Sequence, residues 1–189
     1  MKAIRIHQPG SFEVLKYEEV ESPVPDKNEV LIKIISASVN FADVMTRRGT
    51  YPTMPPMPAI PGVDCSGIIE SVGKNVTRFH PGQPVAALGR GCYAEYVTAN
   101  AAAVFPISEN IDMDEAAAVP VNYLTVYHMM HTMAHATEGE TILAYAAAGG
   151  VGTAVIQIAK QVKVAVIGLT STEEKADYAR ARGYDHIIN

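Results

Sequence analysis

The chain has 189 residues, 48% hydrophobic and 19% charged, which excludes a disordered polyelectrolyte and suits one large globular core or two small ones. Its net charge of −5, with no block of like charges, argues against nucleic acid or an anionic membrane surface as the main partner. Cys65 and Cys92 are too few for a disulfide framework or a four-cysteine zinc site, which points to a reducing, cytoplasmic setting.

The N-terminal residues Met1–Arg5 are charged and alternating, without the apolar stretch of a secretory signal. Short alternating runs follow: Ala3–Ile6, Val14–Val20 and Val30–Ile35, separated by turns such as Pro23-Val24-Pro25-Asp26. Further strands are predicted at Cys65–Val72, Pro84–Leu88, Tyr93–Thr98 and Ala103–Ile107, so the first part of the chain reads as an all-β or barrel-like module. Asn40 is a plausible N-cap for a helix Phe41–Arg48. The segment Tyr51–Gly62 carries prolines at 52, 55, 56, 58 and 61 and must be a loop; its Met54, Met57 and Ile60 either line a site for a flat apolar ligand or pack the loop.

Near Ile111 the pattern turns helical, with Asp112 and Glu115 as N-cap and N3 partner and Pro120 expected to bend the helix. His128, His131 and His135 are spaced to share roughly one helix face, as metal ligands or as cations near a helix C-terminus. Two uncharged stretches, Ala116–Ala134 and Thr141–Ala159, are long enough to span a membrane but are interrupted by proline, histidine or glycine, and are read as buried elements of a soluble fold.

From Thr141 strand and helix alternate: Thr141–Ala144, Thr153–Val162, Val164–Leu169, Glu173–Arg182, His186–Ile188. This βαβαβ order is one mononucleotide-binding half of a doubly wound parallel sheet. The first turn, Tyr145-Ala146-Ala147-Ala148-Gly149-Gly150-Val151-Gly152, has the spacing of a dinucleotide-binding fingerprint with alanine for the first glycine. Gly149 and Gly150 are expected to supply unusual dihedrals and close backbone approach, and Gly152 to let the helix pack on the strand. Ser171 and Glu174 read as a capping box for the last helix, with Gly183 at its C-terminal end.

Asn40-Phe41-Ala42-Asp43, Pro61-Gly62-Val63-Asp64-Cys65-Ser66-Gly67, Gly82-Gln83-Pro84-Val85, Tyr93-Ala94-Glu95-Tyr96 and Ala147–Gly152 together resemble the zinc-independent quinone oxidoreductases (zeta-crystallin-like) of the medium-chain dehydrogenase/reductase superfamily. Val121–Tyr127 is most similar to the vesicle amine transport protein subgroup. The resemblance implies an α/β fold with an all-β-rich first domain: a GroES-like barrel, residues 1–121, followed by half of a Rossmann doubly wound parallel sheet, residues 122–189. It implies NADPH as cofactor and a small-molecule quinone or enone as substrate; the alternative is a non-catalytic NADPH-binding, structural or vesicle-associated protein. Relatives carry a second Rossmann half and a C-terminal return to the catalytic domain, so a homodimer is expected for a full-length parent and not for this chain.

At positions matching the zinc ligands of related alcohol dehydrogenases stand Asn40, Val63 and Asp64, which do not suit zinc, so no metal is expected. The resemblance places Asn40 beside the nicotinamide, where its amide could donate two hydrogen bonds, and Tyr51 near the substrate; a second family tyrosine is Met45 here. It places Thr125 near the carboxamide end of the cofactor and Ala148, Gly149, Gly150, Val151 and Gly152 around the pyrophosphate. Gly168–Thr172 offers hydroxyls, Thr170 and Ser171 among them, and no acid at the strand end. Lys175 follows where the resemblance puts a lysine on the 2′-phosphate, a contact expected to favour NADPH over NADH by about 1.5–3 kcal/mol.

Overall fold

A computed structural model describes residues 1–108 and 110–189, which form two compact units, Met1–Val121 and Asn122–Asn189.

In the first unit β1 (Lys2–Arg5) pairs antiparallel with β2 (Lys16–Glu19), and isolated bridges join Ala3 to Ala94 and Ile6 to Ala59. The predicted strand Val14–Val20 is shorter than its apolar pattern, because Phe12–Val14 closes a 3-10 turn under Ser11. The main sheet is antiparallel. β4 (Asp64–Val72) is central, flanked by β3 (Glu29–Ala37) and β5 (Pro84–Leu88), with β6 (Tyr96–Asn100) outside β3 and β7 (Val104–Pro106) outside β5. The β3–β4 register slips between Leu31 and Ile32 and again between Ile34 and Ser36; such irregularities bend a sheet, and this one curls into a half-barrel. Its concave side is filled by Val30, Ile32, Cys65, Ile69, Phe79, Val85, Cys92, Val97 and Val104, so both cysteines are core residues.

Between β3 and β4 the chain makes α1 (Phe41–Arg48), started by Asn40 and closed by Gly49 in the left-handed region. Asp43 in its first turn and Arg47 and Arg48 in its last complement the helix dipole. After β7, α2 (Met113–Ala117) is capped by Asp112, whose carboxylate accepts from Asp114 and Glu115 N–H at 2.8 and 3.3 Å. Pro120 does not bend a continuous helix. It sits, fully buried, in the first turn of a separate helix, α3 (Val119–Tyr127), where its missing N–H leaves no gap in the ladder.

In the second unit the helical run passes into a π-helical turn, His128–Met133, and His135 lies beyond it at φ 51°. The expected single face of histidines is therefore not formed; His131 instead packs its ring 4.5 Å from that of Tyr127. The sheet is parallel, with β9 (Ala165–Leu169) between β8 (Thr141–Ala144) and β10 (His186–Ile188). Helices α4 (Gly150–Gln161) and α5 (Glu173–Ala181) supply the crossovers, and Ala154, Ile156, Ile158, Ala159, Val164, Val166 and Tyr184 form the core. Helix α4 begins three residues before the predicted Thr153, since Gly149 already serves as its N-cap. Among the described residues no helix is long and apolar enough to cross a membrane.

Candidate functional site

In the second unit, β8 runs into a tight turn, Tyr145–Gly149, from which α4 departs. The unusual dihedral belongs to Ala146, at φ 52°, while Gly149 sits at φ −84°, ψ 176°. This corrects the expectation for Gly149 and Gly150, whose lack of a side chain serves close approach alone. A Cβ on Gly150 would stand 2.7 Å from the Asn122 amide oxygen, and one on Gly152 would stand 2.4 Å from the Ala147 carbonyl oxygen. The first helical hydrogen bond runs from Thr153 N–H to Gly149 C=O at 2.8 Å, so the N–H groups of Gly150, Val151 and Gly152 precede the ladder, as an anion site requires. Tyr184 braces this end of the helix: its buried hydroxyl donates to Gly152 C=O at 2.7 Å, and burial pushes its pKa up to about 12.

The turn and the end of β9 enclose a cavity of about 620 Å³ whose walls include Ala148, Gly149, Thr170, Ser171, Glu174 and Lys175. Among the described residues Thr170 Oγ1, buried in this wall, has no hydrogen-bond partner, an arrangement that a polar ligand would satisfy. Lys175 Nζ reaches Ser171 Oγ at 3.3 Å. The predicted capping box is not formed. Thr172, one residue later than Ser171, caps α5 and accepts from Lys175 N–H at 3.3 Å, which leaves Glu174 as an anionic wall residue rather than a cap partner. The residues therefore fit a phosphorylated dinucleotide: small residues at the turn, an unsatisfied hydroxyl and a cation at the strand end.

In the first unit a buried polar network surrounds Asp64, at 0% exposure on β4. Its Oδ1 accepts from the Ser38 hydroxyl and, at 2.8 Å, from Asn40 Nδ2; its Oδ2 accepts from Val121 N–H at 3.1 Å. Burial raises the Asp64 pKa above its ordinary 3.8, although the three donors pull the other way. Asn40 Nδ2 also donates to Ser38 Oγ at 2.9 Å, so its amide nitrogen is engaged inside the protein by two acceptors that lie side by side. At most one amide hydrogen of Asn40 then remains for a ligand, where two were expected. Asn40 starts α1 through its backbone: its N–H donates to Asp43 Oδ2 at 2.8 Å, and its carbonyl accepts from Asp43 N–H at 3.0 Å. Asp43 also accepts from Tyr93 Oη at 3.0 Å, and burial, with Asp43 next, pushes the Tyr93 phenol well up.

Beside this network lies a second cavity of about 360 Å³, lined by Tyr51, Thr53, Met54, Ile60, Val63 and Arg90 among others. Of the loop residues singled out from sequence, Met54 and Ile60 line it and Met57 does not. Ala148, Gly149, Thr170, Ser171 and Lys175 thus share one cavity, with Gly150, Val151 and Gly152 at the helix start beside it; Thr125 is exposed on α3 and lines neither cavity. Sequence reasoning did not give Asn122 its place against Gly150, Tyr184 its brace or Asp64 its hold on Asn40, because each depends on contacts between residues distant in the chain. Among the described residues no three His, Cys, Asp or Glu side chains converge as a metal site would need.

Comparison with known proteins agrees with this geometry. Residues 26–109 match the family "Alcohol dehydrogenase GroES-like domain". The chain is 38% identical over 192 residues to a quinone oxidoreductase of Lama guanicoe, spanning 100% of this chain and 58% of that protein. It is 35% identical to a synaptic vesicle membrane protein VAT-1 homolog of Danio rerio, over 95% of this chain and 38% of that protein. The structure of the Escherichia coli quinone oxidoreductase complexed with NADPH superposes on all of this chain with a TM-score of 0.93 at 31% identity, using 58% of that chain. In its half-barrel and its parallel sheet, and over 58% of their length, the chain is similar to quinone oxidoreductases of the medium-chain dehydrogenase/reductase superfamily.

Proposed function

We propose that this chain carries the substrate-side and first cofactor-binding parts of an NADPH-dependent, metal-independent reductase of quinones or α,β-unsaturated carbonyls. Residues 1–121 serve as the catalytic domain and 122–189 as the nucleotide-binding one. The observation that carries the reading is the cavity at the end of β9, where an orphaned hydroxyl, Thr170, stands with Ser171 and Lys175 beside a glycine turn. Relatives and neighbours named as quinone oxidoreductases, one of them holding NADPH, support it.

The N–H groups at the start of α4 receive the pyrophosphate, and Lys175, Ser171 and Thr170 donate to the 2′-phosphate. NADPH supplies a hydride when bound. Asn40 Oδ1, pinned by Asp64 and Ser38, accepts from an amide N–H, and Thr125 stands at the carboxamide end. Tyr51, on the cavity wall, donates to the oxygen of the acceptor where negative charge develops. Valine at 63 and asparagine at 40 leave no zinc ligand set, so these hydrogen bonds take the part a metal plays elsewhere.

The test is titration of the protein with NADPH and NADH, followed by NADPH oxidation with a panel of quinones and alkenals. NADPH is expected to bind more tightly, and Lys175→Ala to narrow the difference. Absence of nucleotide binding would refute the cofactor assignment; binding without turnover of any acceptor would point instead to the non-catalytic role.

A further inference from the structure

The cavity beside Tyr51 has apolar walls from Met54, Ile60 and Val63, and a single cation, Arg90. The backbone around Arg90 is held firmly: Gly89 N–H donates to Val63 C=O at 3.0 Å, and Gly91 and Cys92 N–H both donate to Gly62 C=O, at 3.0 and 3.2 Å. The Cα of Arg90 is thereby held at the rim, and its side chain is exposed there. Among the described residues it has neither an ion pair nor a hydrogen bond, whereas Arg5, in the adjoining groove, is paired with Glu18 at 3.4 Å. The other charge on the wall, Asp43, is occupied by Asn40 N–H and Tyr93 Oη. An unpaired, fork-shaped donor at the mouth of an apolar cavity matches a flat apolar body bearing one carboxylate or sulfonate.

We propose that Arg90 is a specificity-determining residue that selects acceptors carrying an anionic substituent. This rests on the reductase reading above and narrows its substrate class. A volume of about 360 Å³ accommodates one or two fused rings. Because the cavity at the end of β9 also offers a cation, Lys175, it is the loss of preference in Arg90→Gln that assigns an anion preference to this site.

The test uses naphthalene-2-sulfonate and its neutral near-isostere, naphthalene-2-sulfonamide, with affinities measured by calorimetry at low salt. The sulfonate is expected to bind about three- to tenfold more tightly, an exposed charge-assisted contact. Raising salt to about 1 M should shrink that ratio. In Arg90→Gln the ratio should fall toward one, and Arg90→Lys should keep part of it. Equal affinities, no binding of either probe, or an unchanged ratio in Arg90→Gln overturns the proposal. A parallel assay with 1,2-naphthoquinone and its 4-sulfonate separates the two readings. Sulfonate-selective binding without turnover refutes the reductase reading and keeps the anion site, while turnover of both quinones at equal kcat/KM does the reverse.

Discussion

Asn40 and Asp64 lie 24 positions apart in the chain, and the amide of one donates to the buried carboxylate of the other at 2.8 Å. Asp64 thereby joins three segments: the loop before α1 through Ser38 and Asn40, strand β4 on which it lies, and the first turn of α3 through Val121. Asp64→Ala leaves these donors buried without an acceptor and should cost about 2–4 kcal/mol, read from the denaturant midpoint.

The same carboxylate sets a pH dependence. Its folded pKa is raised by burial, so from its ordinary 3.8 up to that raised value the folded chain binds more protons than the unfolded one. Stability from this group is therefore full below 3.8, is lost as pH rises through the folded pKa, and stays low above it. Unfolding free energies of the wild type and Asp64→Asn, measured from pH 7 down toward 4, should shift relative to each other in favour of the wild type. A pH-independent difference would mean that the carboxylate titrates alike in both states.

Tyr184→Phe removes the hydroxyl that holds Gly152 C=O and leaves that carbonyl short of a partner in the core. A loss of about 1–2 kcal/mol is expected. Gly152→Ala should cost more, about 2–4 kcal/mol, because the added carbon meets backbone at 2.4 Å and the helix must back away from the turn.

Ala146 predicts a gain. Its φ of 52° costs an alanine about 1–2 kcal/mol relative to glycine, and glycine's greater freedom when unfolded returns about 0.5–1 of that. Ala146→Gly should thus raise stability by about 0.5–1 kcal/mol in thermal or urea unfolding; a drop would show that the turn relaxes to accommodate alanine.

Glu174 lies on the cavity wall with Lys175, and the two act oppositely on a 2′-phosphate. Glu174→Gln should tighten NADPH by about two- to fivefold and leave NADH nearly unchanged, as expected for an exposed charge. An equal effect on both nucleotides would place Glu174 away from the phosphate.

Much of this was legible in the sequence because it rests on local pattern. The alternation at Val30–Ile35, the cap-and-run at Asn40–Arg48 and the strand–turn–helix around Gly149–Gly152 each appear where their residues put them. Errors arose where neighbours compete. Ser171 and Thr172 are both good caps, and Thr172 prevails because the helix starts after it; the histidine spacing presumed an α-helix that instead widens into a π-turn. The engagement of Asn40's amide was not legible at all, since a buried carboxylate on β4 decides it. Nor was the unusual backbone of Ala146, which a run of three alanines does nothing to announce.

The two cysteines, both core residues of the half-barrel, turn the first unit into its own reporter. The neighbouring Cys65 and burial hold the Cys92 thiol far from ionising. An alkylating reagent can reach either sulfur only when the sheet opens, so the labelling rate clocks the opening of residues 1–121. Residues 122–189 contain no thiol and stay silent in that experiment.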